Sequence, residues 1–336
     1  MIDLASLAAT PKILPTTPRL TAANRWDHFL ARMGVKRSEH RVEPGLYALG
    51  KPTPESPVFV SANYSLSFDA LRSSLEGIDG YILVLDTKGI NVWCAAGKGT
   101  FGTDEIVRRV FETGLKEVVS HRKLILPQLG APGVAAHEVK KRSGFWVEYG
   151  PVRAADLPEY LTGSAGTFGE ATPEMRRVKF TLGNRLALIP VELSQTILPM
   201  LAAAIILYFA GGWITSLAAI AAVLAGNVLF PILLPWLPTH NFSTKGFILG
   251  CLVALPFALS PLWRHPDWVW WKQIGQALEF LLAMPAATAF ISLNFTGSTT
   301  FTSRSGVKRE MFAYIPAMAW TFGAGILLAI AFIFIR

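Results

Sequence analysis

The sequence predicts an α/β domain followed by an all-α membrane domain of five transmembrane helices. Three observations predict this division. Charge is uneven: residues 1–186 hold 24 Lys and Arg against 19 Asp and Glu, whereas residues 187–336 hold 7 against 4. The second part carries five apolar stretches, each near the roughly 20 residues that a helix needs to cross a bilayer. The first part alternates short apolar runs with amphipathic ones, the pattern of a parallel sheet with helices on its faces. We divide the chain into an N-terminal arm and helix (1–45), an α/β domain (46–162), a linker (163–187) and the membrane domain (188–336).

In the arm, Pro11, Pro15 and Pro18 precede a helix over Ala22–Met33. The opening residues Met1–Ser6 lack a basic region and an apolar core, so no cleavable signal peptide is expected. Strands follow at Pro57–Asn63 and at Tyr81–Leu85, a nearly continuous apolar run of the kind buried in parallel sheets. Between them, Phe68, Leu71 and Leu75 give Ser67–Leu75 helical spacing. Asp104–Phe111 is a helix with Ile106, Val107, Val110 and Phe111 inward. Leu115–Val119 and Leu124–Leu126 are strand candidates, Val134–Lys141 a helix, Phe145–Tyr149 a strand and Ala154–Leu161 a short helix. Ligands of such sheets bind beyond the carboxyl ends of the strands. The loops of interest are therefore Asn63–Ser65, with Asn63 and Tyr64; Asp86–Gly102; Pro127–Gly133, with Gln128, Gly130 and Gly133; and Gly150–Arg153. The glycines of the third loop would let backbone approach a ligand closely, or simply make a tight turn.

The membrane stretches lie near 188–209, 213–236, 246–263, 274–295 and 313–335. The third is shortest and contains Pro256 and Pro261, which leaves a re-entrant segment as the alternative. Arg176, Arg177, Lys179, Arg185, Lys245, Arg304, Lys308 and Arg309 flank one side; Arg264, Lys272 and Arg336 flank the other. That bias predicts a cytoplasmic N-terminal domain and an external C-terminus. Trp263, Trp268, Trp270 and Trp271 form the outer aromatic belt. Glu192 and Glu279 are expected near helix ends, Asn227 deep in a span, and Cys251 as a packing residue.

The net charge of +8 comes without an aromatic-interleaved basic stripe, zinc finger or basic helix, so nucleic acid is not an expected partner. Two cysteines, Cys94 and Cys251, cannot ligate an iron–sulfur cluster, which takes four thiolates. His121 and His137 read as surface or packing residues.

The chemistry concentrates in Asn91-Val92-Trp93-Cys94-Ala95-Ala96-Gly97-Lys98-Gly99-Thr100. A P-loop fails, because position 92 is Val and Gly99 follows Lys98. Gly97–Gly102 matches G-x-G-x-x-G, but some ten residues separate it from the strand, where the dinucleotide fingerprint needs none. The local reading is a two-turn helix with Asn91 as N-cap and the glycines at 97 and 99 ending it. Cys94 then lies in the first turn, where backbone N–H groups favour negative charge. Lys98 lies four residues on, on the same face. Such a cysteine can be a nucleophile, a redox sensor or a metal ligand; it can also be a buried residue beside a packing Trp.

Asn91–Lys98 resembles the signature of the corrinoid protein of microbial mercury methylation, and the similarity runs in order along nearly the whole chain. The soluble part is similar to the corrin-binding domain of the corrinoid iron–sulfur protein of acetyl-CoA synthesis. The resemblance implies a Rossmann-like corrinoid-binding domain, with Asn91, Trp93, Cys94 and Lys98 on a cap helix and Cys94 as the lower axial ligand of cobalt. The implied cofactor is cobalamin or a related corrinoid, base-off, with a Cys ligand. The Asp-x-His-x-x-Gly motif of other cobalamin enzymes is absent. The implied reaction carries a methyl group from a folate-linked donor to Hg(II), presented as a thiolate complex. The implied partner is a ferredoxin-like protein with two [4Fe-4S] clusters, which returns the cobalt to its reduced state. A methyl carrier with another acceptor and a membrane transporter with a regulatory cytoplasmic domain are the competing readings.

Overall fold

The computed structural model describes residues 12–36, 38–163, 170–299 and 304–335. The readings made on Met1–Pro11, on part of the linker and on Arg336 lie outside the described residues. The chain forms two compact units, Met1–Lys179 and Phe180–Arg336.

The soluble unit runs β1 (Ile13–Thr16), α1 (Ala22–Arg32), β2 (Gly45–Leu49), β3 (Val58–Ala62), α2 (Ser65–Ser74), β4 (Gly80–Leu85), α3 (Val92–Lys98), α4 (Thr103–Glu112), α5 (Leu115–Val118), β5 (Lys123–Leu126), α6 (Ala136–Ser143), β6 (Trp146–Tyr149) and α7 (Leu157–Thr162). Its six strands lie in the order β1-β2-β4-β3-β5-β6. The run β4-β3-β5-β6 is parallel throughout.

Alternation along the strands feeds two cores. Val58, Val60, Ala62, Leu83, Leu85, Leu124 and Leu126 face one side, under α3, α4, α5 and α6. Phe59, Ile82, Val84 and Ile125 face the other, under α2 and α7. The result is three layers, with β3, β4 and β5 buried on both faces, which is why these runs read as continuous apolar segments.

Three sequence expectations are corrected here. The sheet is mixed, because β2 runs antiparallel to β4. The arm carries a strand as well as a helix: β1 pairs parallel with β2, and its Pro15 is tolerated because β1 is an edge strand. Leu115–Val119 is no strand. Leu115 and Val119, four apart, both reach the core, and that spacing belongs to one face of a helix. Part of the linker packs back as well. Met175 is buried in the second core, and Val152 N–H donates to Met175 O at 2.8 Å.

Among its described residues, the second unit contains five helices long and apolar enough to cross a membrane: Leu182–Gly211, Trp213–Leu233, Phe242–Arg264, Trp270–Gly297 and Ser305–Phe332. The first comprises α8 (Leu182–Leu186) and α9 (Ile189–Gly211). In the second, α10 (Trp213–Leu224) passes through a π-helical turn at Ala225–Leu229 into α11 (Phe230–Leu233). The remaining spans are α12 (Phe242–Arg264), α13 (Trp270–Ser292) and α14 (Arg304–Ile335). The third span is a continuous helix of 23 residues with Pro256 and Pro261 inside it, so the re-entrant alternative falls. Its Gly246 and Gly250 form a G-x-x-x-G pair against α13. A Cβ on Gly250 would stand 2.5 Å from Pro285 Cα, and one on Gly246 2.6 Å from Ala289 Cα. Close backbone approach of this kind is how helices associate without a hydrophobic driving force between them.

Two polar contacts link spans inside the bundle. Asn227, fully buried, donates to Thr196 Oγ1 at 2.6 Å, and Thr288 donates to Ala222 O at 3.0 Å. Glu279 is buried within α13 rather than placed at an interface. Cys251 is exposed on α12 and does not pack in the bundle.

Candidate functional site

The site is built around α3. Asn91, in extended conformation, accepts a hydrogen bond from Cys94 N at 2.9 Å through its side-chain oxygen, which satisfies one of the helix's open N–H groups. At the other end Gly99 turns left-handed at φ 81°. Thr100 N–H returns to Ala95 O at 3.0 Å and Gly99 N–H to Ala96 O at 3.3 Å. These two bonds are a Schellman cap, and its left-handed position favours glycine. Gly97 lies inside the helix and does not end it.

The helix has two faces. Val92, Ala95 and Ala96 are buried against the sheet. Trp93, Gly97 and Lys98 are exposed and Cys94 is half-buried. A Cβ added to Gly97 or Gly99 would meet nothing within 4 Å. Cys94 is thus not a buried residue beside a packing Trp; it borders an open face.

The loop before α3 is held by Asn63. That buried side chain accepts hydrogen bonds from Thr87 N at 3.0 Å, Thr87 Oγ1 at 2.9 Å and Gly89 N at 3.0 Å, and donates to Asp86 Oδ1 at 3.3 Å. Its amide is committed to shaping the loop. Asp86 N–H donates to Glu105 Oε1 at 2.8 Å, and Arg109 holds that carboxylate in place. Tyr64 caps the backbone at the start of α2.

The turn Gln128–Gly133 is a 3-10 helix packed on the far end of α3. A Cβ on Gly133 would lie 2.2 Å from Phe101 O and 3.0 Å from Ala96 Cα; one on Gly130 would lie 2.5 Å from Phe101 Cε1. The close approach expected of these glycines is made to the cap segment itself. Gln128 Oε1 accepts from Arg176 at 2.9 Å. Phe101, fully buried at the centre of this packing, was not singled out in the sequence. Its signal is one aromatic residue among five glycines and two threonines in the stretches 97–103 and 130–133.

Beside α3 lies a cavity of about 320 Å³. Ser61, Ser67, Asn91, Trp93, Pro127 and Val152 line it, among apolar neighbours. It opens between the carboxyl ends of β3 and β5. Those strands share a single registered pair, Phe59 with Ile125, and diverge beyond it. The strand order reverses here, since β4 lies to one side of β3 and β5 to the other. This is the topological switch point at which open α/β sheets bind ligands. Three of the four loops chosen from the sequence line this cavity, through Asn91 and Trp93, through Pro127 and Leu129, and through Pro151 and Val152. The fourth, Asn63–Ser65, acts through Asn63 on the loop before α3. Among the described residues no cluster of three or more His, Cys, Asp or Glu is placed to hold a metal ion. His121 bonds Ser56 O at 2.9 Å and accepts from Lys123 N at 3.1 Å, a packing role, and His137 is exposed.

Residues 35–160 match the family model described as CO dehydrogenase/acetyl-CoA synthase delta subunit. The similarity lies wholly within the first compact unit. Curated relatives include the gamma subunits of the acetyl-CoA decarbonylase/synthase complex of Methanopyrus kandleri and Archaeoglobus fulgidus, each 34% identical over 127 residues. That of Methanothermobacter thermautotrophicus is 33% identical over the same length. Each match covers 37% of this chain and 27% of the relative, so the chain spans about a quarter of those relatives' length. The matched family region contains β2 to β6 and α3, and ends before the first membrane helix. The likeness is consistent with a corrinoid-binding domain.

Proposed function

We propose that the protein is a membrane-anchored corrinoid methyltransferase that converts Hg(II) to methylmercury, with Cys94 as the lower ligand of cobalt. The observation that carries the reading is the half-exposed Cys94, fixed by Asn91 in the first turn of α3 and bordering an open face beside the switch-point cavity. The residues fit the group. A flat macrocycle needs a surface without projecting side chains, and Gly97 and Gly99 supply one next to the sulfur. A base-off corrinoid has a detached base to house, and the mostly apolar cavity beginning at Asn91 and Trp93 offers a place for it.

When bound, the corrinoid supplies a cobalt that carries a methyl group between a folate-linked donor and a soft electrophile. The chain's own residues do the rest. Cys94 would hold the cobalt through its sulfur, and the identity of a protein ligand tunes the electronic character of such a cofactor. A thiolate is a strong donor, so the group held there would supply methyl-transfer chemistry toward a soft electrophile such as Hg(II). Asn91 fixes the turn that carries the sulfur, and Asn63 fixes the loop that carries Asn91. Trp93 walls the cavity, and Lys98 brings positive charge to the rim. Electrons come from a ferredoxin-like partner with two [4Fe-4S] clusters, and mercury arrives as a thiolate complex. In this reading the first unit faces the cytoplasm and the five helices span the inner membrane, which the bias of basic flanks supports.

The test is the absorption spectrum of the anaerobically purified protein, wild type against Cys94→Ala, together with methylmercury formation in the presence of the ferredoxin partner. Loss of the thiolate-ligated spectrum and of activity is expected. Unchanged activity in Cys94→Ala removes the residue from the mechanism. A methyl carrier with a different acceptor is the second reading, favoured because the relatives are subunits of an acetyl-CoA decarbonylase/synthase complex. An acceptor screen with the loaded protein separates the two.

A further inference from the structure

At one end of the membrane unit three helix ends meet: α9 stops at Gly211, α12 stops at Arg264 and α13 starts at Trp270. Between them is a second cavity, of about 290 Å³, lined by Gly211, Arg264, His265, Trp268, Lys272 and Gln276. No role in methyl transfer involves these residues, and the cavity belongs wholly to the membrane unit.

Its walls are built. The His265 ring stacks on Trp268 with centroids 4.1 Å apart. His265 N–H donates to Pro261 O at 2.9 Å, Trp268 N–H to His265 O at 3.1 Å, and Gln273 Nε2 to the same carbonyl at 3.0 Å. Arg264 lies over the Trp213 ring at 5.6 Å and Lys272 over the Trp271 ring at 5.6 Å. One lining residue is chemically incomplete. Gln276 is 2% exposed, and its Oε1 has no hydrogen-bond partner. A buried acceptor left without a donor is destabilising, so a ligand that donates to it is favoured.

The lining therefore specifies a ligand in two parts: an anion for the guanidinium and the ammonium, and a hydrogen-bond donor for Gln276. Depth selects the source. Trp213, Trp263, Trp270 and Trp271 are exposed around this end of the bundle, and a ring of exposed Trp marks the headgroup level of a bilayer. We propose that the cavity holds the headgroup of a phospholipid, with its phosphate between Arg264 and Lys272. A glycerol hydroxyl or an ethanolamine ammonium of that headgroup donates to Gln276 Oε1. Choline has no such donor, so phosphatidylcholine meets only half of the site.

The experiment uses the full chain, delipidated in detergent and exposed in turn to phosphatidylglycerol, phosphatidylethanolamine and phosphatidylcholine. Native mass spectrometry counts the retained lipid. Wild type is expected to retain the first two about tenfold better than the third, the worth of one hydrogen bond to a charged or fixed partner. Arg264→Gln with Lys272→Gln is expected to lose retention of all three. Gln276→Leu is expected to erase the preference among headgroups. Inorganic phosphate alone, added to the lipid-loaded protein, is expected to leave the lipid in place. Equal retention of the three lipids by wild type overturns the proposal, and that comparison needs no variant to fold. Displacement by inorganic phosphate also overturns it, by making this a site for the free anion.

Discussion

At the scale of single residues, the site depends on how firmly one sulfur is positioned. Cys94 has its backbone N–H tied to Asn91. Asn91→Ala removes an N-cap and is expected to cost about 1 kcal/mol of stability. It should also loosen corrinoid binding while leaving the sulfur in the sequence. Thermal denaturation and a cofactor titration on the same preparation check both effects. Cys94→His keeps a ligand and loses the thiolate's donation, so slower methyl transfer with retained corrinoid is expected; unchanged turnover would show that donor strength does not matter. Gly133→Ala acts from behind the helix. Its Cβ would lie 2.2 Å from Phe101 O, a backbone group that cannot swing aside, so the turn or α3 must move. Overpacking of this sort costs about 1–3 kcal/mol. Lower stability together with a perturbed corrin spectrum is the expected pair of results; a spectrum like wild type's would show that α3 holds its place.

At the scale of elements, the N-terminal helix is fastened to the site's foundation by a buried polar network that the sequence does not advertise. His28 pairs with Asp69 at 2.7 Å, and Arg72 with Asp69 at 2.6 Å. His40 bonds Asp27 at 2.6 Å and Val35 O at 2.7 Å. Ser65, at the start of α2, donates to Asp27 at 2.6 Å. Both ring nitrogens of His40 face acceptors, so the imidazolium is the form that can donate to each. Burial pulls the His40 pKa down, but its bonds to Asp27 and Val35 O outweigh this, and the net displacement is upward from 6.5. Burial likewise pushes the Asp27 carboxyl up, and the bonds from Ser65 and His40 outweigh it, leaving Asp27 below 3.8. A raised His contributes stability that is complete below 6.5 and is lost as pH climbs through the raised value. A lowered Asp contributes stability that is complete above 3.8 and is lost as pH falls through the lowered value. Docking of α1 is therefore expected to be firmest between those limits and to weaken on the alkaline side. Hydrogen exchange of residues 22–32 across pH, corrected for intrinsic rates, measures it. His40→Asn should flatten the alkaline limb, and an unaltered limb would assign the effect to another group.

At the scale of the whole molecule, the parts legible in the sequence are those with a local cause. The apolar runs of β3, β4 and β5, the five long apolar stretches, and Asn91 with Gly99 around α3 all follow from periodicity and capping over a few residues. What was not legible depends on partners distant in the chain. β1 and β2 are strands because each finds the other and β4. Leu115–Val118 is helical because Leu115 and Val119, four apart, both reach a core that other elements complete. Glu279 lies inside the bundle because its neighbours there are supplied by other spans. The cavity beside α3 is likewise invisible locally, since β3 and β5 are about sixty residues apart in sequence and create it only by diverging. Every element of the site nevertheless belongs to one compact unit, Met1–Lys179. Both soluble cores draw on residues from that unit alone. A mixed sheet whose central strands are buried on both faces by its own helices needs no membrane to complete it. The chain cut after Lys179 is therefore expected to fold in water and to take up a corrinoid with the absorption spectrum of the full-length protein. Cys94→Ala in that background should change the spectrum as it does in the full chain. A truncated protein that folds, by circular dichroism and hydrogen exchange, yet takes up no corrinoid would mean that the membrane unit contributes directly to the cofactor site.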